Sequence, residues 1–455
     1  VEFIAEHSHG FAEFEGAVRA TEWSELELRS GLTRSAMEAA AAVYSRAKSA
    51  MIAYGMGLTQ QVDGVENVQL VVNLLLLRGN IGKPGAGVLP IRGHSNVQGQ
   101  RTVGITEKPE LAPIDKLKAL YGFEPPQKKG LNCVEACEAL LDGKLQAMFQ
   151  LGGNLVRSLP DHGQLLPAWR RLRLTVQIET KLNRSCLIHG EISYILPCLG
   201  RIEIDQQASG PQAVSVEDST ACIHGSRGKA TPASEHLRSE PWIIAELAKA
   251  TLPPNPRIDW DAWVGDYSLI RDAIEQTYPE MFSAFNARMW EPGGFHRPLA
   301  ARTREWKTKT GKANFIAPKS FAGYIDADAE YDDVFQLSTF RSQGQFNTTV
   351  YSDRDRFRGV YGTRMVLFMN RNDIDRLGIA EGDRVSLATD VAAAKDGVHR
   401  QVDGLIVRAY DIPEGCLGAY YPECNPLIPV SHHANGSKVP ASKGVPVRVL
   451  SNAAA

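Results

Sequence analysis

Cysteine is scarce in this chain of 455 residues. Seven cysteines are scattered between Cys133 and Cys424, and both the odd number and the low density argue against a disulfide-stapled scaffold. A reducing, cytoplasmic setting fits this usage better. Cys133 and Cys137 lie four residues apart, but no second pair at ligand spacing completes a metal site, so we expect structural thiols there.

Long apolar runs and a charge imbalance are also missing. The longest apolar run, residues 71–77, is interrupted by Asn73 and is far too short to span a bilayer. The 50 basic and 52 acidic side chains nearly cancel, which leaves a net charge of −2. This balance gives no reason to expect nucleic acid or an anionic membrane as a partner.

Three common catalytic fingerprints are absent as well. The sequence contains neither G-x-G-x-x-G nor G-x-x-x-x-G-K-[ST], which weakens a nicotinamide dehydrogenase or a P-loop protein as an interpretation. It also lacks G-x-S-x-G, so a serine hydrolase has little support. His432 and His433 are adjacent, and adjacent loop residues rarely bind one metal ion together.

The chain is too long for one hydrophobic core. Twice it follows the order of helix, apolar strand, glycine-containing turn and helix, which predicts α/β units with parallel, doubly wound strands and a ligand edge at the strand ends. From Asp333 onward, short strands alternate with Gly, Asp and Pro turns, which predicts a β-barrel. The elements predicted for the two α/β units are 35–47, 50–54, 65–78, 134–141, 145–151, 162–172 and 174–178.

The stretch from Gly79 to Gly99 holds six glycines and two prolines in its 21 residues, so neither a helical nor a strand period survives there. Arg92 offers a planar fork of donors to an anion, and His94 can move a proton near neutral pH. A functional loop and a structured loop with solvated polar groups are both open readings, and long loops in compact proteins favour the former.

Three further stretches each have two readings. Gly152-Gly153-Asn154 follows a predicted strand and suits either phosphate binding or an ordinary strand-to-helix turn. Residues 341–347 and 420–425 are polar, aromatic and turn-rich, so each one alone reads as a surface turn.

Taken together, these stretches resemble the molybdopterin oxidoreductases of the DMSO-reductase superfamily, nearest to the formate dehydrogenase alpha-subunit-like branch. The motifs that carry the resemblance fall in the family's order over nearly the whole chain: Tyr54-Gly-Met-Gly-Leu-Thr-Gln60, Gly79–Gly87, Arg92–Gly99, Leu151–Asn154, Ser338–Arg341 and Pro422–Asn425.

The resemblance implies a molybdenum or tungsten ion held between two pyranopterin guanine dinucleotides. Each dinucleotide is cradled by an α/β domain, and a C-terminal barrel closes over both. It divides this chain into the end of the first α/β cofactor-binding domain (1–92), a second α/β cofactor-binding domain (93–330) and a β-barrel dinucleotide-binding domain (331–455).

The resemblance also assigns site residues. Arg92 matches the active-site arginine that orients formate or a similar oxyanion, and His94 falls where a polar partner is common. The positions that match cofactor contacts are Met56, Gly57 and Gln60 in the first α/β domain; Gly152, Asn154, Ser158, Lys181 and Asn183 in the second; and Arg341, Gln345, Asn347, Asn425 and Lys443 in the barrel.

One part of the family pattern is missing from this sequence. The metal-ligating residue and the iron–sulfur cysteines of the family lie N-terminal to the matched motifs, and none of the seven cysteines takes either role. The chain, which begins Val-Glu-Phe, is therefore expected to be the C-terminal portion of such an enzyme, with no metal ligand of its own and with any 4Fe-4S cluster held elsewhere.

The function implied is two-electron oxidation or reduction of a small oxyanion such as formate, with an electron-transfer protein as a partner. A non-catalytic homologue that only binds the cofactor is the alternative, and the residue that ligates the metal would decide between them.

Overall fold

The computed structural model describes residues 2–92, 94–319, 333–390 and 396–451, so Gly93 of the glycine-rich stretch lies outside it. The chain forms two compact units. Unit 1 combines Val1–Ile91, Leu299–Gln345 and Tyr351–Ala455, and unit 2 combines Arg92–Pro298 with Phe346–Val350. The three domains expected at 1–92, 93–330 and 331–455 stay a prediction.

Helices occur along most of the described chain, and most of them are short. The α-helices are α1 (Glu2–His7), α2 (Phe11–Arg19), α3 (Trp23–Ser30), α4 (Arg34–Arg46), α5 (Met56–Thr59), α6 (Gly64–Leu77), α7 (Val97–Thr102), α8 (Ile114–Tyr121), α9 (Cys133–Leu141), α10 (Leu155–Ser158), α11 (His162–Arg170), α12 (Arg184–Leu187), α13 (Glu240–Thr251), α14 (Trp260–Gly265), α15 (Tyr267–Thr277), α16 (Pro279–Phe282), α17 (Phe285–Arg288) and α18 (Arg371–Arg376). Short 3₁₀ helices cover Pro109–Leu111, Ala300–Thr303 and Asn425–Leu427.

The strands fall into small sheets and one barrel. They are β1 (Ser8–His9), β2 (Met51–Tyr54), β3 (Gly87–Pro90), β4 (Ala147–Leu151), β5 (Leu174–Glu179), β6 (Ile192–Pro197), β7 (Gln206–Gln207), β8 (Gly210–Pro211), β9 (Val214–Glu217), β10 (Cys222–Ser226), β11 (Phe295–His296), β12 (Ala313–Asn314), β13 (Phe335–Phe340), β14 (Val366–Met369), β15 (Arg384–Thr389), β16 (Gln401–Ala409), β17 (Cys416–Tyr420) and β18 (Val445–Ser451).

The α/β part of unit 1 pairs β2 with β3 in parallel, across helix α6. The predicted helix 65–78 is confirmed within one residue at each end. The helix predicted over 35–47 is α4, which begins and ends one residue earlier, and Thr33 caps it by accepting a hydrogen bond from the Ala36 amide. Strand β2 is also less buried than expected, since its side chains alternate between exposed and half-buried.

The barrel of unit 1 is closed, with the strand order β13-β17-β14-β16-β15-β18. Inward-facing apolar side chains such as Leu337, Leu367, Leu405 and Val445 are fully buried in its core. The pairs β13–β17 and β14–β16 are parallel, whereas the other pairs are antiparallel. The expected C-terminal barrel is therefore confirmed.

Unit 2 is built around a parallel sheet with the order β4-β5-β6. β5 is central and buried along most of its length, while the side chains of β4 are mostly exposed, which differs from the buried strand expected there. A glycine turn follows β4, and Glu179 ends β5. These carboxyl ends form the edge where the α/β pattern places a ligand.

Within the described ranges, no helix is long and apolar enough to cross a membrane.

Truncation of the barrel core tests this description. Leu337→Ala is expected to lower the free energy of unfolding by about 2–5 kcal/mol, because the fully buried side chain leaves a cavity. Urea denaturation followed by a barrel-specific probe measures this. Leu450→Ala on β18, where the leucine is 40% exposed, is the matched control and should cost much less. Equal losses would contradict the core assignment.

Candidate functional site

The first half of the glycine-rich stretch is tightly packed. Gly82 has a φ of 66°, and a Cβ at this position would lie 2.5 Å from Cγ of Arg304 and 3.0 Å from the carbonyl oxygen of Ala301. Gly79 has a φ of 61°, and its Cβ would meet the Phe3 ring at 3.1 Å. Both glycines are required by conformation and by space, so this part of the loop is built into unit 1.

The second half of the stretch is anchored inside unit 2. The side chain of Asn96 accepts a hydrogen bond from the Glu217 amide at 3.0 Å, and Gln98 donates to the carbonyl oxygen of Asp218. Arg201 donates to Ser95 Oγ at 2.5 Å. The polar side chains that looked solvated in the sequence therefore hold the loop against the β9–β10 hairpin.

His94 lies against a segment far along the chain. The amide nitrogen of Asn347 is 3.0 Å from His94 Nε2, and the Phe346 ring packs edge-on at 4.6 Å between centroids. Because an amide nitrogen only donates, Nε2 of His94 accepts this hydrogen bond. Asn347, predicted as a cofactor contact, is thus brought to the predicted catalytic histidine.

Arg92 opens unit 2 with its side chain exposed. In the described part of the chain, its guanidinium makes no hydrogen bond or ion pair. A planar fork of donors without such partners is suited to an oxyanion.

The glycine turn after β4 is open. Gly152 and Gly153 have φ values of 73° and 88°. Among the residues that the structure describes, only Glu240 Oε1, at 3.8 Å, would lie within 4 Å of a Cβ built on Gly152, and no atom would lie that close to a Cβ built on Gly153. There is room for a ligand beside this turn, although the Gly152 N–H already donates to the carbonyl oxygen of Ile178 at 2.8 Å.

The side chains of Asn154 and Ser158 form hydrogen bonds to other residues of unit 2. The Asn154 amide donates to the carbonyl oxygen of Thr348 at 3.1 Å, and Ser158 Oγ lies 2.8 Å from Thr348 Oγ1. Ser158 Oγ also donates to the Asn154 carbonyl at 2.9 Å. Both predicted cofactor residues therefore fasten the Phe346–Val350 segment.

Asn183 joins the two loops at the carboxyl edge of the sheet. Its amide donates to the carbonyl oxygen of Gly153 at 2.8 Å, and its side-chain oxygen caps α12 by accepting from the Ser185 amide at 2.8 Å. Lys181, in the same loop, is exposed.

Glu179 is a residue that sequence reasoning missed. It is only 5% exposed, and its Oε1 has no hydrogen-bond partner among the described residues. Burial raises the pKa of Glu179 to about 7, against a smaller opposing effect of the Asn183 side chain. A glutamate that ends an apolar strand was the available signal, since carboxylates are rarely buried without a task.

Unit 1 gathers a second set of predicted residues. Gln60 follows α5, which carries Met56 and Gly57, and its carbonyl oxygen accepts from the Lys443 amide at 3.1 Å. Ser442 Oγ donates to Gln60 Oε1 at 3.1 Å. The turn after β2 is therefore tied to the segment that leads into β18.

Lys443 is a half-buried cation whose pKa is affected by a second cation, Arg341. Its ammonium group donates to the carbonyl oxygen of Thr339. Burial, with a further contribution from the charge of Arg341, lowers the pKa of Lys443 to about 8. The Arg341 guanidinium lies 6.0 Å from the centroid of the Tyr421 ring. An anion placed here would restore the full charge of the lysine.

The remaining predicted residues belong to the same end of the barrel. Gln345 donates from Nε2 to the carbonyl oxygen of Tyr421 at 2.9 Å, and Asn425 is buried at the start of a 3₁₀ helix. Over the described ranges, no group of three or more His, Cys, Asp or Glu side chains is placed to hold a metal ion.

Comparison with protein families decides the assignment. Residues 30–250 match the sequence model of the molybdopterin oxidoreductases, and residues 335–446 match that of the molybdopterin dinucleotide-binding domain. The chain belongs to the molybdopterin oxidoreductase family. It carries the domain that in this family binds a molybdopterin dinucleotide.

Individual proteins of known sequence match most of this chain. This chain is 43% identical to protein YdeP of Escherichia coli O6:H1 over 450 residues. The matched region covers 98% of this chain and 58% of the relative. This chain is 40% identical over 453 residues to an uncharacterized oxidoreductase of Mycobacterium tuberculosis H37Rv, across 98% and 57% of the two chains. Formate dehydrogenase H of Escherichia coli K12 is 31% identical over 369 residues, which cover 76% of this chain and 48% of the relative.

The same fold occurs in a solved structure. Acetylene hydratase from Pelobacter acetylenicus matches with a TM-score of 0.65 at 14% identity, over 99% of this chain and 67% of that one. The α/β and barrel architecture is therefore shared, and the chain spans little more than half the length of its curated relatives.

The chain's own residues fit a pterin guanine dinucleotide. The open turn at Gly152 and Gly153 leaves space for a close ligand, and the unpartnered Oε1 of Glu179 suits the N–H donors on the edge of a guanine. No equivalent fit exists for the metal itself, because the described residues offer no ligand set.

The raised pKa of Glu179 predicts a pH effect. The folded protein holds this proton above the ordinary value of 4.5 while the unfolded chain loses it, so the carboxyl group lowers stability as pH rises towards about 7. In cofactor-free protein, Glu179→Gln should match the wild type at about pH 4 or below and be roughly 1–3 kcal/mol more stable at pH 8.

Thermal unfolding at several pH values measures this difference. Glu110→Gln, which replaces an exposed carboxylate, is the control and should show no such trend. A difference between Glu179→Gln and wild type that stays constant with pH would contradict the buried, protonated carboxyl group.

Proposed function

We propose that the full-length protein is a molybdenum or tungsten oxidoreductase, formate dehydrogenase-like, that oxidises or reduces a small oxyanion by two electrons. The observation that carries this is the exposed Arg92, two residues before His94, in a loop anchored within unit 2 of a chain of this family. When bound, the metal and its two pterin guanine dinucleotides supply the two-electron chemistry.

Arg92 would bind the oxyanion. An arginine keeps its charge throughout the physiological pH range and presents two parallel N–H donors to a carboxylate. Such a donor, oriented before the reaction, stabilises charge without reorganisation. Formate is the substrate we propose, since its carboxylate matches this fork.

His94 would accept or relay the proton at Nε2. In the resting arrangement Nε2 accepts from the Asn347 amide nitrogen, so protonation requires that amide to rotate and present its oxygen instead. Asn347 can stabilise either protonation state in this way, and the edge-on Phe346 ring keeps the imidazole in place.

In unit 2, the open Gly152–Gly153 turn and Glu179 would receive one dinucleotide. In unit 1, Gln60, Arg341 and Lys443 would contact pterin. In this proposal the metal ligand and any 4Fe-4S cluster belong to a part of the full-length protein outside this sequence. An electron-transfer protein would exchange the electrons, in the cytoplasm.

Substitution of Arg92 tests the proposal. In the full-length protein, Arg92→Ala should lower kcat/KM for formate with an artificial acceptor by roughly 100-fold or more, because loss of one preorganised donor costs about 3 kcal/mol. Arg92→Lys should recover part of it, since it restores charge but not the fork. Arg34→Ala, at an exposed ion pair with Glu38, is the control.

Near-normal formate turnover by Arg92→Ala would reject its role. A wild type that retains the pterin dinucleotides but turns over no small oxyanion would favour the non-catalytic, cofactor-binding alternative.

A further inference from the structure

Arg364 is a buried cation that the proposed chemistry does not use. It stands two residues before β14 and is only 8% exposed. Its guanidinium pairs with both carboxylate oxygens of Glu423, at 2.9 Å from Nε and 3.1 Å from Nη2. Glu423 is also buried, so the pair is almost fully desolvated.

The other donors of Arg364 go to two loops. Nη1 donates to Ser342 Oγ at 2.6 Å, while Nη2 donates to Gln345 Oε1 at 3.1 Å and to the carbonyl oxygen of Tyr421 at 2.7 Å. All three guanidinium nitrogens are therefore engaged, and one side chain holds residues on both loops.

Aromatic rings pack against the same guanidinium. The ring centroids of Tyr351 and Tyr420 lie 4.8 Å and 4.7 Å from its central carbon. Cation–π contacts of this kind gain strength when the cation is desolvated. They fix the orientation of the guanidinium plane, and hence the direction of its N–H donors.

The barrel topology explains what these contacts accomplish. β13 and β17 are parallel, with Phe340 opposite Tyr420 at the last paired position. The chain therefore leaves both strands at the same end of the barrel, into the loops that carry Ser342, Gln345 and Tyr421. Arg364 is a side chain that bonds to residues on both of these loops.

Stability of the fold is a weak explanation for this arrangement. Buried ion pairs often contribute little compared with apolar packing, and the barrel already has an extensive apolar core. Gln345 also has its own amide committed, because Oε1 accepts from Arg364 and from the Ser342 amide while Nε2 donates to Tyr421. Gln345 therefore links the two loops. The Arg341 guanidinium lies over the ring of Tyr421, the residue to which Gln345 donates.

We propose that Arg364 is a positioning residue for the cofactor site: through Gln345 and Tyr421 it sets the place of Arg341, which contacts the pterin dinucleotide. This rests on the proposed function, because it takes the barrel loops as part of the cofactor site. Arg364 itself touches neither cofactor nor substrate.

Cofactor retention by the full-length protein tests this without any substrate. GMP released by acid hydrolysis from protein sampled at intervals after gel filtration gives the rate of dinucleotide loss. Arg364→Ala and Arg364→Lys should both lose the cofactor on the order of tenfold faster than wild type, since neither can bridge the loops. Millimolar guanidinium chloride should slow the loss from Arg364→Ala, and an equal concentration of sodium chloride should not.

Arg400→Ala is the matched control. Arg400 is also a buried arginine of the barrel, and its described side-chain hydrogen bonds go to Asp396, at 2.7 Å, and to the carbonyl oxygen of Val398, at 3.2 Å. It should lower the melting temperature while GMP loss stays at the wild-type rate.

Three results would overturn the inference. The first is that folded Arg364→Lys loses GMP at the wild-type rate; this variant decides the matter if Arg364→Ala does not fold. The second is that Arg400→Ala loses GMP as fast as the Arg364 variants. The third is that guanidinium does not slow the loss of GMP from folded Arg364→Ala. A wild-type protein without pterin-derived GMP would instead reject the proposed function, and this inference with it.

Discussion

The hydrogen bonds between Asn154 and Thr348 join parts of unit 2 that are 194 residues apart in sequence. The buried Asn154 amide donates to the Thr348 carbonyl at 3.1 Å, and Thr348 Oγ1 donates back to the Asn154 carbonyl at 3.3 Å. Because Asn347 immediately precedes Thr348, these bonds also help to place the Asn347 side-chain amide against His94. An unpaired amide here would carry a desolvation cost, so the pairing is strongly specified.

Burial shifts the pKa values of Glu179 and Lys443 in the same direction, towards the neutral form of each group. In unit 2 it raises the pKa of Glu179 to about 7, and in unit 1 it lowers the pKa of Lys443 to about 8. Both pKa values are shifted towards the uncharged form of the group. In the proposed function, N–H donors of a guanine would favour the carboxylate, and an anion would favour the ammonium.

Local pattern was enough for elements with strong signals. Helix α6 and the central strand β5 lie within a residue or two of their predicted bounds, because apolar spacing and glycine stops act locally. Strand β17 was missed, since Cys-Leu-Gly-Ala-Tyr has no β-branched residue, yet it pairs with both β13 and β14. Its place is decided by the barrel rather than by propensity.

The site was predictable in its residue types but not in its pairings. The family motifs point to His94, Asn154 and Asn347 separately, whereas the contact between His94 and Asn347 spans 253 residues of sequence. No periodicity reports a contact of that separation. Glu179 illustrates the reverse case, because its importance depends on burial and on an unsatisfied oxygen that only coordinates reveal.

The central claim is that this chain forms part of a site for a metal held by two pterin guanine dinucleotides. The most direct test is the metal and nucleotide content of the purified full-length protein, by elemental mass spectrometry and by chromatography of GMP after acid hydrolysis. From the proposed function we expect one molybdenum or tungsten and two GMP per chain. Folded full-length protein that contains neither the metal nor GMP would contradict the proposed cofactor site.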